Sequence, residues 1–134
     1  MNVSLRWFAV LLLVGFLTGC GDGKGTVDGK VTLNDQPVSK GVIVFIQTKD
    51  GRLVREGGII ENGSFKLRVP PGTYKVEVNA PKVVGKTKAQ NVGDAVEAEI
   101  LGESIPERYN TKTELTADIK SGTNEVTFKL EDKK

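Results

Sequence analysis

Between Glu61 and Val78 the chain reads ENGSFKLRVPPGTYKVEV, a stretch that leaves the backbone little choice. Phe65, Leu67 and Val69 alternate with Ser64, Lys66 and Arg68, and Tyr74, Val76 and Val78 alternate with Lys75 and Glu77. A period of two does not fit a helix face; it predicts two strands, each with an apolar side and a wet side. Asn62-Gly63 tolerates the positive φ of a two-residue hairpin, while Pro70-Pro71-Gly72 fixes φ and then permits a reversal.

The same reading extends in both directions. Val27, Gly29, Val31 and Leu33 share one face of a first strand, closed by the turn Asn34-Asp35-Gln36-Pro37. The run Val42–Ile46 is apolar on both faces, as in a strand covered twice or one whose outer face meets a partner. With Val42, Val44 and Ile46 assigned to the core, Ile43 and Phe45 point outward, either covered by the insertion described below or forming a candidate contact surface. Asp50-Gly51 predicts a hairpin into a weaker strand, Leu53 to Ile60, where Gly57-Gly58 suggests a bulge or kink at a sheet edge. Near the end, Leu115, Ala117 and Ile119, then Val126, Phe128 and Leu130, alternate around Ser121-Gly122-Thr123-Asn124 as a final hairpin. Seven strand candidates at roughly 8 to 12 residue spacing predict an all-β fold, a single seven-stranded antiparallel β-sandwich. Asn79–Ser104 stands outside the pattern. It is an insertion too long for a hairpin connection, of the kind that carries function or lacks order, and Val96–Leu101 reads equally as a strand or a helical turn.

The N-terminus follows a different logic. After a single basic residue, Arg6, the apolar run from Trp7 to Leu17 is shorter than the roughly 20 residues of a membrane span and reads as an export signal. Leu17-Thr18-Gly19-Cys20 resembles the lipobox of bacterial lipoproteins, in which small residues admit the chain to a membrane peptidase and the Cys thiol carries diacylglycerol. The resemblance implies removal of residues 1–19, a thioether-linked and N-acylated Cys20, a flexible tether over 20–25, and a domain over 26–134 carrying the insertion at 79–104. As the only cysteine, Cys20 has no intramolecular disulfide partner. The expected address is the membrane, on its periplasmic or outer face.

The chain carries 19 basic and 17 acidic residues without a long block of either sign, which argues against nucleic-acid binding. It has no histidine, so neither a histidine-bearing metal site nor a Ser-His-Asp triad can be built. Asp22, Asp28, Asp35 and Asp50 lie near turns but form no Asp-x-Asp-x-Asp loop, and they read as solvated turn residues. A Lys30–Asn124 isopeptide bond is disfavoured because Lys30 falls on the polar face. No cofactor and no metal are expected.

VDGKVTLNDQPVSKGVIVF followed by ENGSFKLRVPPGTYKVEV resembles the carboxypeptidase regulatory-like or transthyretin (prealbumin)-like domain. The tail IPERYNTKTELTADIKSGTNEVTFKL is similar to that of small lipoproteins abundant in planctomycete bacteria. The resemblance implies a Greek-key β-sandwich without catalytic residues of its own. The function expected is a membrane-anchored, non-catalytic binding or cell-envelope structural module, whose partner is an envelope protein or a carbohydrate. The alternative is an accessory or carrier subunit that binds a small ligand or an exported enzyme through Ile43, Phe45 and the insertion.

Overall fold

The computed structural model describes residues 21–89 and 96–133, and most of the chain there is strand. In chain order the strands are β1 (Gly25–Leu33), β2 (Gln36–Pro37), β3 (Lys40–Lys49), β4 (Arg52–Glu61), β5 (Ser64–Val69), β6 (Gly72–Asn79), β7 (Pro81–Ala89), β8 (Val96–Glu103), β9 (Thr116–Ile119) and β10 (Gly122–Leu130). A single 3-10 turn, Glu107–Tyr109, interrupts them. The seven strands expected from alternation form one curled sheet in the order β10-β1-β5-β4-β3-β6-β9, with β2 paired to β1. β7 and β8 make a separate two-stranded sheet.

Turn chemistry sets the hairpins. Asn34-Asp35, Asp50-Gly51 and Asn62-Gly63 all take positive φ at both positions. They close Leu33↔Gln36, Lys49↔Arg52 and Glu61↔Ser64, as the primed two-residue turns of hairpins require. At Gly63 the space matters as well as the angle, since a Cβ there would lie 2.6 Å from Pro37 Cβ.

Four expectations are corrected. The sheet is not purely antiparallel, because β1 and β10 pair in parallel from Gly25↔Gly122 to Leu33↔Leu130. They come from opposite ends of the domain, so no tight turn constrains their relative direction. β9 and β10 are not a hairpin: β9 pairs with β6 and β10 with β1, so Lys120-Ser121 arches between opposite ends of the sheet. Pro70-Pro71 likewise carries β5 over to β6 without pairing them. Finally, Gly57-Gly58 makes no bulge, since β4 stays in unbroken register with β3 from Lys49↔Arg52 to Lys40↔Glu61.

The core is lined by the inner face of the curled sheet, to which all seven of its long strands contribute. Val27, Val31, Ile43, Phe45, Ile60, Phe65, Val69, Tyr74, Val76, Val78 and Leu130 are all buried in one cluster. Phe45 meets Tyr74 edge-on at 5.7 Å between ring centroids and Phe65 at 6.2 Å, while Phe65 stacks on Phe128 at 6.4 Å. Room for the Phe65 ring comes from its register partner: a Cβ on Gly29 would stand 2.0 Å from Phe65 Cζ. Burial of a large apolar side chain stabilises by about 1.5 to 3 kcal/mol, so these aromatic contacts dominate the packing.

Residues 104–115 close one end. Buried Asn110 donates from Nδ2 to the Ile105 carbonyl at 3.1 Å, and its Oδ1 accepts the Thr111 N–H at 2.6 Å. Arg108 donates to the Glu131 carbonyl, and the Tyr109 hydroxyl accepts the Glu131 N–H, tying this segment to the end of β10. At the fully exposed Glu107, the hydrogen bond and charge of Lys112 hold the carboxyl below its usual range.

Candidate functional site

The lipobox residues Leu17, Thr18 and Gly19 and the lipidation residue Cys20 lie outside the described residues. The candidate contact pair is corrected: Ile43 and Phe45 are fully buried, while Val42 on the opposite face is exposed. In a run apolar on both faces, packing chooses which face turns inward, and the larger Ile43 and Phe45 fill the core. One signal was available. Lys40 shares its parity with Val42, which marks that row as the wet one. Asp28 pairs with Lys66 at 3.1 Å and Asp22 with Arg68, and Asp35 and Asp50 hold the turn positions described above. Asn124 donates to the Lys120 carbonyl and accepts the Lys120 N–H, bracing the arch, and its register partner is Val27, three residues from Lys30.

The insertion is where exposed chemistry gathers. Its two halves, β7 and β8, form the hairpin, so Val96–Leu101 is strand rather than helical turn. The register runs Lys82↔Gly102 and Val83↔Leu101, then Gly85↔Ile100, Lys86↔Glu99, Thr87↔Ala98 and Lys88↔Glu97. Val84 is the extra residue of a β-bulge, and its side chain lies across Gly102, where a Cβ would stand 2.5 Å from Val84 Cγ1.

Alternation then separates two faces. One carries Val84 and Ile100, which are 55% and 47% exposed, with Gly85, Ala98 and Thr87 between and beside them and Lys82 at its base. The other carries Lys86, Lys88, Glu97 and Glu99, with a Lys86–Glu97 pair at 3.3 Å, and Val83 and Leu101 near its base. A two-stranded ribbon is marginal in water, and the exposed Val83, Val84, Ile100 and Leu101 make this one a candidate contact surface.

The base of the hairpin is firmly held. One oxygen of Glu103, Oε1, accepts the backbone N–H groups of Ala80 at 2.8 Å and of Ser104 and Ile105 at 2.9 Å each. Ser104 donates back from its N–H and Oγ to the Ala80 carbonyl at 2.9 and 2.6 Å. The arm therefore leaves the sheet through a braced joint.

Its position in the molecule is polar. Leu33, Pro37, Lys40, Ala80 and Pro81 line one shallow cleft, so the hairpin joins the domain beside the C-terminal end of β1. Gly25, where the chain enters, lies at the other end of β1, beside Val69 and Gly122. Nine strand residues at about 3.3 Å each separate the two ends by roughly 30 Å.

No family model matches this chain, and no curated protein matches it. Among solved structures, it is similar to part of a leucine-rich repeat protein from Bacteroides thetaiotaomicron VPI-5482, at 17% identity and a TM-score of 0.39. That similarity covers 81% of this chain and 12% of the other, so this chain spans a small fraction of that protein's length.

Proposed function

We propose that this protein is a lipid-tethered, non-catalytic β-domain of the bacterial cell envelope, and that the β7–β8 hairpin is the surface by which it holds an envelope partner. The observation that carries the reading is the polarity of the molecule. A tether at Gly25 and an amphipathic arm at the far end of β1 present the arm away from the anchoring surface. Within this reading the curled sheet is a two-layer sandwich of the transthyretin-like kind, with β1, β5 and β10 in one layer and β3, β4, β6 and β9 in the other. Support comes from the single register position joining β4 to β5, beyond which the two strands part. Cys20 carries the lipid, and Leu17, Thr18 and Gly19 form the processing motif.

The apolar hairpin face, flanked by balanced lysines and glutamates, suits a protein surface better than an anionic lipid or a phosphate-rich polymer. Two experiments on the full chain test the two halves of the reading. Cys20→Ser should move the protein from the membrane to the aqueous fraction; equal partition of both forms would reject the anchor. A photo-crosslinking side chain at Ile100 should give a discrete adduct in intact envelopes, and one at Lys129 should not; the same adducts at both positions would reject the hairpin as the recognition surface.

A further inference from the structure

β4 has a second feature that the hairpin reading does not use. It pairs with β3 along its whole length, yet among the described residues its other side is in register with β5 only at Glu61↔Ser64, with Leu67 of β5 lying against the inner face at Gly58. The two-residue Asp50-Gly51 turn makes Lys49 and Arg52 the first hydrogen-bonded pair. Alternation then aims the backbone groups of Val54, Glu56, Gly58 and Ile60 at β3, and those of Leu53, Arg55, Gly57 and Ile59 at the open side. A row of outward N–H and C=O groups is a template for another strand.

Natural edges are blunted by bulges, prolines, lysines or shortness. β4 is ten residues long, holds unbroken register, and between Leu53 and Ile60 contains neither proline nor lysine. Leu53 is 61% exposed and Ile59 70%, both on the outer face. Between them, a Cβ on Gly57 would meet nothing nearer than the Ile43 carbonyl at 3.8 Å, so the backbone is open to close approach.

We propose that this edge pairs with the same edge of a second copy, antiparallel and centred on Glu56. A two-fold axis perpendicular to the sheet keeps outer residues on the outer face and sets Leu53 opposite Ile59 of the second copy, twice over. Arg55 then lies over Gly57 of the second copy, and every outward backbone group from Leu53 to Ile59 finds a partner. A centre on Arg55 sets that cation against itself, and a centre on Gly57 places it opposite Ile59. Only the Glu56 centre joins the exposed apolar residues to each other. The cost is the apposition of the two Glu56 carboxylates, which limits affinity.

Cysteine scanning by single substitutions in the full chain tests this register independently of anchoring and of the hairpin. Across the axis Glu56 meets its own counterpart in a non-hydrogen-bonded pair with Cβ atoms about 5 Å apart. Val54 lies about 14 Å from its counterpart, four residues of strand. Under mild oxidation Glu56→Cys should become a disulfide-linked dimer, while Val54→Cys stays at the level of the wild-type chain, which controls for Cys20. Adding Leu53→Lys to Glu56→Cys should cut the yield about tenfold, because the substitution acts twice. Equal yields at positions 54 and 56, or no dimer at 56 in protein with an intact β-sheet circular dichroism spectrum, would overturn the proposal.

Discussion

The Tyr74 hydroxyl donates to the carbonyl oxygen of Pro70 at 2.6 Å, spanning the arch by which the chain passes from β5 to β6. The ring is buried against Phe45, and its hydroxyl supplies the Pro70 carbonyl with a donor. Tyr74→Phe should keep the packing and lose about 1 kcal/mol, read as a lower urea midpoint with unchanged slope.

The same group gives a pH dependence. Burial first, and the charge of Glu56 second, raise the Tyr74 hydroxyl above its ordinary value of 10.0. A raised value means that the folded state favours the neutral form. Its contribution is complete below the unfolded value and declines as pH rises through the folded one. Stability should therefore fall above about pH 10, and Tyr74→Phe should fall less over that window. Parallel losses in the two proteins would assign the decline to other groups.

Gly29→Ala should destabilise by about 1 to 3 kcal/mol. The new methyl group would occupy the position of the Phe65 ring, which is itself held between Phe45 and Phe128. Thermal unfolding is the measurement. Gly57→Ala, where the added methyl group makes only an ordinary contact with the Ile43 carbonyl at 3.8 Å, is the matched control and should shift the midpoint far less.

Glu103→Ala should loosen the hairpin while sparing the sheet. It removes the acceptor shared by three backbone N–H groups, two of them on the buried residues Ala80 and Ile105. An orphaned buried donor costs about 1 to 3 kcal/mol. Hydrogen exchange should quicken over Pro81–Ala89 and Val96–Glu103 before it changes in β3 or β6. Glu103→Gln keeps an acceptor oxygen and should fall between the two.

Ile100→Asp should leave stability within about 0.5 kcal/mol, since the residue is 47% exposed and its strand pairs only with β7. Binding to an envelope partner should drop sharply. A large loss of stability instead would mean that the apolar hairpin face is already covered within the chain.

Local chemistry explains which parts of this fold were legible in sequence. Most strands of the curled sheet have their own alternation, and Asn34-Asp35, Asp50-Gly51 and Asn62-Gly63 name their turns. Pairing was less accessible, because it depends on which strands meet after the arches. Ser121-Gly122-Thr123-Asn124 and Pro70-Pro71-Gly72 read as reversals, yet an arch and a hairpin reverse the chain with similar residues. The inward face of Val42–Ile46 was undetermined for a related reason: alternation assigns faces only when one set is polar. The hairpin arm was visible as an insertion, but its two faces depend on the bulge at Val84, which shifts the parity of everything beyond it.

The braced joint at Ala80 and Ser104 also defines a cassette. The chain leaves and re-enters the sheet through residues joined by a single 2.9 Å backbone hydrogen bond, so the geometry of the domain ends there whatever lies between. Loop-closure entropy grows only slowly with length. Arms of other lengths and faces could be grafted between these two residues with Glu103 retained as the buckle, giving one scaffold a series of interchangeable arms.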